Sequence, residues 1–276
     1  MNLLPFLLYA AATVAYALHF ARREAGIGRT ATTLLMAAAL VHTFVIAMQT
    51  MEVGHVPIAN PSRAVSTFVW LLGLSYLYLE TTTNERSMGV FVLVIAVGLQ
   101  LIPTLNPGIE KASPVLDSPW FWVHISSLLF AYATFGLAGV LGLTYVLQFK
   151  EIKKKQLGYF YTRLPSLQIL DAMNSRAVTL GWLCLTIGLM VGMVWAAQAR
   201  VDFVGDPNLS RMSLRDPKIF VSVVTWVVYS FAVLARWMMG WTGRRAAWLS
   251  ASGFAIVLVN LIAVSYLFPP SSHTFQ

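Results

Sequence analysis

Eight apolar runs alternate with short polar joints along the chain, at 3–21, 32–51, 64–80, 88–104, 120–148, 177–198, 219–237 and 246–268. Each reaches the ~17-residue lower limit for a helix that crosses a hydrocarbon core ~30 Å thick. Inside that core every backbone N–H and C=O must be bonded within its own segment, so the runs predict helices. Polar residues inside such runs are costly and become the first suspects for function. The pattern predicts an all-α, polytopic membrane protein of eight transmembrane helices, with a single integral membrane domain over 1–276. No soluble domain is read from it.

The joints carry their own signals. The longest basic one, 149–176, holds the Lys153-Lys154-Lys155 run, a segment suited to anionic headgroups. Leu157, Phe160, Tyr161 and Leu164 follow at helical spacing and predict a surface-lying amphipathic turn. Pro165 breaks it, and Ser166 can cap a short helix because its hydroxyl accepts from an orphan N–H. The joints 52–63, 105–119 and 199–218 are rich in Pro, Asn, Asp and Gly and predict irregular loops. The run at 120–148 is long enough to tilt or to project from the bilayer. Gly136, Gly139 and Gly142 on it, and Gly181, Gly188 and Gly192 on the next run, have spacings that permit close helix contact. The first run lacks a basic leader and an Ala-x-Ala cleavage site, so it reads as a span, not a removable signal.

Composition agrees with the pattern. The chain is 58% hydrophobic and 11% charged, against about 25% charged in soluble domains. The net charge of +8 reads as topology, not nucleic-acid binding, because Lys and Arg mark cytoplasmic joints. Thirteen basic residues fall in one set of joints and six in the other, which predicts both termini on the periplasmic side of a bacterial inner membrane. The single Cys184 excludes a disulfide framework and a cysteine metal site.

Histidine is the remaining chemistry. His55, His124 and His273 fall on the same predicted face, His42 lies near the middle of the second run, and His19 sits beside Arg22 and Arg23 as an interface residue. Neutral imidazole binds iron, and two histidines from different helices facing a flat ring suit the axial positions of haem. Trp70, Trp120, Phe121, Trp122, Trp195 and Phe203 offer aromatic surface, although Trp and Tyr populate membrane interfaces without any ligand. A histidine at mid-span, like His42, must find a partner. Ser126 and Ser127 lie near His124, but no third group orients a base, so nucleophilic catalysis is not predicted. No phosphate loop is present. Asp202, Asp206 and Asp216 share one joint without regular cation-ligand spacing. Charges within the runs are too scarce for an ion-coupled transporter, and Asn260 reads as an interhelical hydrogen bond.

Several stretches together resemble the cytochrome c assembly protein family, the CcsA/HemX-like haem-handling membrane proteins. Gly54-His55-Val56-Pro57-Ile58-Ala59-Asn60 is similar to its Gly-His-x-Pro-x-x-Asn stretch. Trp122-Val123-His124-Ile125-Ser126, with Tyr132 and Gly142, is similar to its histidine-bearing helix. Leu164-Pro165-Ser166-Leu167, Leu170-Asp171, Asn174 and Arg176 resemble its cytoplasmic linker. Asp216-Pro217-Lys218 with Trp226 resembles the start of its seventh helix, and Gly240-Trp241 with Gly243 to Trp248 the turn into its eighth.

The resemblance implies haem (b-type) handling in cytochrome c maturation. It makes His124 and His273 the iron ligands at the outer rim and His42 the first of an intramembrane pair. His55, Trp122, Trp195 and Asp216 are the further contacts it implies. Implied partners are other assembly proteins and apocytochrome c, or a membrane electron-transfer complex. Two positions depart from the family pattern. The interval 196–215 contains no tryptophan, and Leu234 stands near the place of the second intramembrane histidine. These departures leave room for a non-catalytic assembly factor or accessory subunit.

Overall fold

The structure, a computed structural model, describes residues 2–58, 60–106, 118–155, 158, 161–202 and 217–258. Among these residues there are eight helices and no strand. They are α1 (Leu3–Arg22), α2 (Ala25–Val53), α3 (Pro61–Thr83), α4 (Gly89–Leu105), α5 (Pro119–Lys153), α6 (Leu167–Asp202), α7 (Pro217–Met239) and α8 (Arg244–Leu258). Six of them, all but α4 and α8, are long and apolar enough to cross a membrane, and α4 is a shorter apolar helix.

The helices turn their polar and small residues inward. On α2 the buried positions include Gly28, Ala31, Thr32, Leu35, Ala38, Ala39, His42, Val45, Ile46 and Gln49, a stripe at the 3.6-residue period. Leu40, Phe44 and Met51 on the other side are 71%, 65% and 82% exposed. A bare apolar surface of this extent marks a membrane-facing protein.

Contacts divide the helices into two closed rings. In the first, α1 packs on α2, α2 on α3, α3 on α4 and α4 back on α1. In the second, α5 packs on α6, α6 on α7, α7 on α8 and α8 back on α5. The rings join where α3 meets α5 and α6. The α5–α8 seam depends on Gly142, where a Cβ would stand 2.6 Å from the Ala247 carbonyl oxygen. Only a residue without Cβ lets two backbones come this close. The α6–α7 seam is set by reciprocal indole bonds. Trp182 Nε1 donates to Ser230 Oγ at 2.8 Å, and Trp226 Nε1 donates back to Thr186 Oγ1 at 2.9 Å.

Helices α2, α3, α5 and α6 extend past the apolar runs that predicted them, and α5 and α6 are the longest. At 35 residues, α5 would measure about 52 Å, so it projects well beyond a ~30 Å core. The linker helix and the sixth span are one continuous helix of 36 residues, starting ten residues before 177. Leu170, Met173 and Ala177 stay buried through the junction at helical spacing, so nothing breaks the helix there. Ser166 does cap it, its Oγ accepting from Ile169 N at 3.3 Å. Of the expected amphipathic turn, Leu157 and Phe160 lie outside the described residues, while Leu164 packs against the core.

One end of the molecule gathers the basic joints. Arg163 donates to the Ala21 carbonyl at 2.9 Å, tying the joint before α6 to the end of α1. At the same end Asp171 receives both Nη atoms of Arg236, at 3.1 and 2.9 Å, and the Gly243 N–H at 2.8 Å. The opposite end carries the start of α1, where Asn2 Nδ2 donates to the Pro103 carbonyl at 2.9 Å. It also carries the end of α2, the start of α5 and the end of α6.

Candidate functional site

The joint 54–60 is built by its motif residues. Gly54, at φ +81°, ends α2 with its N–H on the Thr50 carbonyl at 2.9 Å. Asn60 caps α3, its side chain accepting from Ser62 N at 2.8 Å, with Pro61 in the first helical turn. Between them His55 is held over the start of α5. Its ring lies 4.2 Å from that of Trp122, nearly parallel at 10°. Phe121 stands edge-on to Trp122 at 5.0 Å and packs on Trp195 at 5.1 Å. Trp195 in turn lies near-parallel to His124, at 6.4 Å and 14°. The structure thus brings His55, Trp122, Phe121, Trp195 and His124 into one aromatic cluster, made by α5, α6 and the joint after α2.

His124 is half-buried and Trp195 is 3% exposed. The His124 ring fits because residue 192 is glycine. A Cβ there would lie 2.5 Å from both Cε1 and Nδ1. One turn earlier on α6, the Gly188 carbonyl oxygen stands 2.7 Å from His124 Nδ1. A carbonyl can only accept, so Nδ1 carries the proton and Nε2 carries the lone pair. His55 is fixed in the same sense, with Nδ1 3.1 Å from the Val56 carbonyl oxygen. An N–H held by a backbone carbonyl fixes the tautomer and ring orientation of metal-binding histidines, and raises the basicity of the other nitrogen. In its donor set the cluster fits an iron porphyrin: lone-pair imidazoles beside aromatic faces. Among the described residues no group of three His, Cys, Asp or Glu side chains could hold a bare metal ion.

His42 lies elsewhere, at the centre of the first ring, and is fully buried. Its Nδ1 is 3.3 Å from Tyr9 Oη, and its Nε2 is 2.9 Å from Ser66 Oγ. Gln100 Nε2 also donates to Ser66 Oγ, at 3.3 Å. The expected partner of the mid-span histidine is therefore a chain through all four helices of that ring. An iron at His42 would have to displace Tyr9 or Ser66.

Trp70 is not part of the aromatic cluster, since its indole donates to Thr43 Oγ1 at 2.8 Å within the first ring. His19 is tied to the Glu24 carbonyl at 3.0 Å at the basic end. His273, Phe203, Asp206, Asp216 and Asn260 lie outside the described residues, and the side chain of Asp202 is likewise not described.

Sequence reasoning missed two features. Glu80, 1% exposed, accepts from Tyr16 Oη at 2.5 Å and from Thr32 Oγ1, and pairs with Arg86 Nε at 3.5 Å. A carboxyl group ending an apolar run was the available signal. The Gly188 carbonyl had none, because a backbone acceptor is silent in sequence.

A family model described as Cytochrome C assembly protein matches residues 1–269. A cytochrome c biogenesis protein CcsA of Guillardia theta is 28% identical over 250 residues, covering 83% of this chain and 80% of that protein. A CcsA of Microcystis aeruginosa is 27% identical over 266 residues, with 79% and 78% covered. A CcsA of Pyropia yezoensis is 24% identical over 282 residues, with 88% and 86% covered.

Proposed function

The chain belongs to the cytochrome c assembly protein family, and from that premise we propose that it handles haem for cytochrome c maturation. Haem is its cargo, taken as b-type haem before attachment. His124 and His273 are the iron ligands, with Trp122, Trp195, His55 and Asp216 as the further haem contacts. The observation that carries this reading is the His124 tautomer. Its Nδ1 is committed to the Gly188 carbonyl at 2.7 Å, and its lone pair lies on Nε2 beside an aromatic wall. Iron bound there would take electron density from imidazole, and the porphyrin would shed its apolar surface from water.

The proposal extends to topology. All eight helices span a bacterial inner membrane, α4 and α8 included, with both termini and the aromatic cluster on the periplasmic side. The basic end faces the cytoplasm, where Lys and Arg are retained. Apocytochrome c and other assembly proteins are then the partners that meet the periplasmic rim.

One specific observation favours a second reading. The interval 196–215, which follows Trp195, contains no tryptophan. A chain with less aromatic surface would hold haem weakly, and would act as an accessory subunit of an electron-transfer or assembly complex.

A visible spectrum of the purified full chain separates the two. Haem handling predicts a Soret band that His124→Ala removes and that His273→Ala removes or weakens several-fold. A colourless protein that co-purifies with a large membrane complex would establish the accessory reading instead. A Soret band unchanged by both substitutions would defeat the ligand assignment.

A further inference from the structure

At the basic end, the turn between α7 and α8 is unusually well fixed for a surface joint. Gly240 and Gly243 take φ values of +65° and +63°, a region open mainly to glycine. Trp241 N–H bonds the Ala235 carbonyl at 3.1 Å, closing the end of α7. Gly243 N–H is held by Asp171, and the Trp241 ring is braced edge-on by Phe231 at 5.7 Å.

This rigid turn presents Arg244 and Arg245. Both are exposed, and neither pairs with a carboxylate among the described residues. Each is instead laid over an aromatic face, Arg244 on Phe149 at 5.6 Å and Arg245 on Trp241 at 5.4 Å. Trp241, Arg244, Arg245, Trp248, Leu249 and Ser252 line one open cleft. They follow at spacings of three and four, so a single helix stripe runs from two cations through an indole to an aliphatic side chain. Trp248 is 49% exposed.

We propose that this cleft binds one anionic phospholipid, with its phosphodiester on Arg244 and Arg245 and its acyl chains along Trp248 and Leu249. The charge selects the occupant. Guanidinium donors match phosphate oxygens, and a ring beneath each guanidinium limits its motion without neutralising it. The order along the stripe matches that of a phospholipid entering a bilayer, with charge at the headgroup and apolar surface below. The indole lies at the level where tryptophan anchors membrane proteins. The nearby Lys150, Lys153 and Lys154, at the end of α5, strengthen the field, but among the described residues none of them is laid over an aromatic ring as the two arginines are. This assignment is independent of haem.

The test is native mass spectrometry of the full-length protein, released from nanodiscs of equal phosphatidylglycerol and phosphatidylcholine. We expect one retained phosphatidylglycerol per chain. In Arg244→Gln/Arg245→Gln the preference for phosphatidylglycerol should fall by about thirtyfold, the effect of removing two surface cations. In Arg244→Lys/Arg245→Lys it should fall only in part, because charge remains and the fork is lost. Lys153→Gln/Lys154→Gln/Lys155→Gln should leave it within about twofold. Equal retention by wild type and the glutamine variant would overturn the proposal. Loss in the triple lysine variant alone would also overturn it, by showing diffuse charge. So would displacement of the lipid by millimolar inorganic phosphate, which identifies a free-anion site, or a protein seated on Trp248 in place of lipid.

Discussion

In the α1–α4 ring, His42 gives both nitrogens to hydroxyl groups, Tyr9 Oη and Ser66 Oγ. In the α5–α8 ring, His124 gives Nδ1 to the backbone carbonyl of Gly188 and carries its lone pair on Nε2. A hydroxyl can donate or accept, so two of them satisfy either tautomer and use both nitrogens. A carbonyl only accepts, so it selects one tautomer and assigns the other nitrogen to acceptor chemistry. The same residue type is thus built into the packing of one ring and held in a single tautomer in the other, the tautomer that the proposed ligand role requires. Glu80 follows the first pattern, with Tyr16, Thr32 and Arg86 all turned onto one carboxyl group.

The first way to break this contrast is to remove the carboxyl group. Glu80→Leu leaves the Tyr16 hydroxyl without its acceptor and the Arg86 guanidinium without its counter-charge, while Thr32 keeps the Gly28 carbonyl at 3.0 Å and Arg86 Nε keeps Thr32 Oγ1 at 3.0 Å. We expect a loss of about 3 kcal/mol, the low end for breaking a buried pair because Arg86 is partly exposed. Thermal unfolding in detergent measures it. Any Soret absorbance of the folded fraction should persist, since Glu80 belongs to the other ring. Loss of that band at temperatures where the protein is still folded would show that the two rings are coupled.

His42→Ala sharpens the contrast at about 2 kcal/mol, combining a cavity with the lost partners of Tyr9 and Ser66. Hydrogen bonds between membrane helices average only about 0.6 kcal/mol, so most of this comes from the void. If His42 is a packing residue in the resting protein, the variant keeps its haem absorbance at equilibrium. A Soret band lost in His42→Ala while unfolding is unchanged would mean that the first ring opens and that His42 binds iron in the open form.

The parts of this molecule that sequence revealed are those with a one-dimensional signature. Continuous apolar runs of 17 residues or more pointed to the all-helical class, because a membrane strand needs only about 9–11 residues and alternates apolar with polar positions. Small residues at Gly142, Gly188 and Gly192 announced close contacts without naming the partner, which depends on which helices become neighbours. Helix ends were read too short at α2, α5 and α6, where polar residues continue the helix past the apolar run. The histidine cluster was legible only as three imidazoles on one face. That His55 stacks on Trp122 and His124 lies beside Trp195 follows from three-dimensional packing. The selection of Nε2 by a backbone carbonyl leaves no trace in the residue letters. Glu80 was visible as a carboxyl group at the end of an apolar run, yet its partners come from α1, α2 and the α3–α4 joint, far apart in the chain.

Gly192→Ala carries the smallest change in stability and the most local one. Alanine in a helix interior is ordinarily favoured over glycine by roughly 0.5–1 kcal/mol. Here the added Cβ would meet His124 Cε1 and Nδ1 at 2.5 Å, so the imidazole must rotate or α5 must shift from α6. Overpacking of this kind costs about 1–3 kcal/mol, which leaves a net loss of about 1 kcal/mol. Gly98→Ala on α4 is the control, since nothing lies within 4 Å of its Cβ position, and it should be neutral or slightly stabilising. The rotation also breaks the bond to the Gly188 carbonyl, so Gly192→Ala should weaken haem absorbance several-fold while Gly98→Ala leaves it intact. If the two alanine variants bind haem equally, the orientation of His124 by α6 has no part in recognition. The contrast between the two histidines then concerns packing alone.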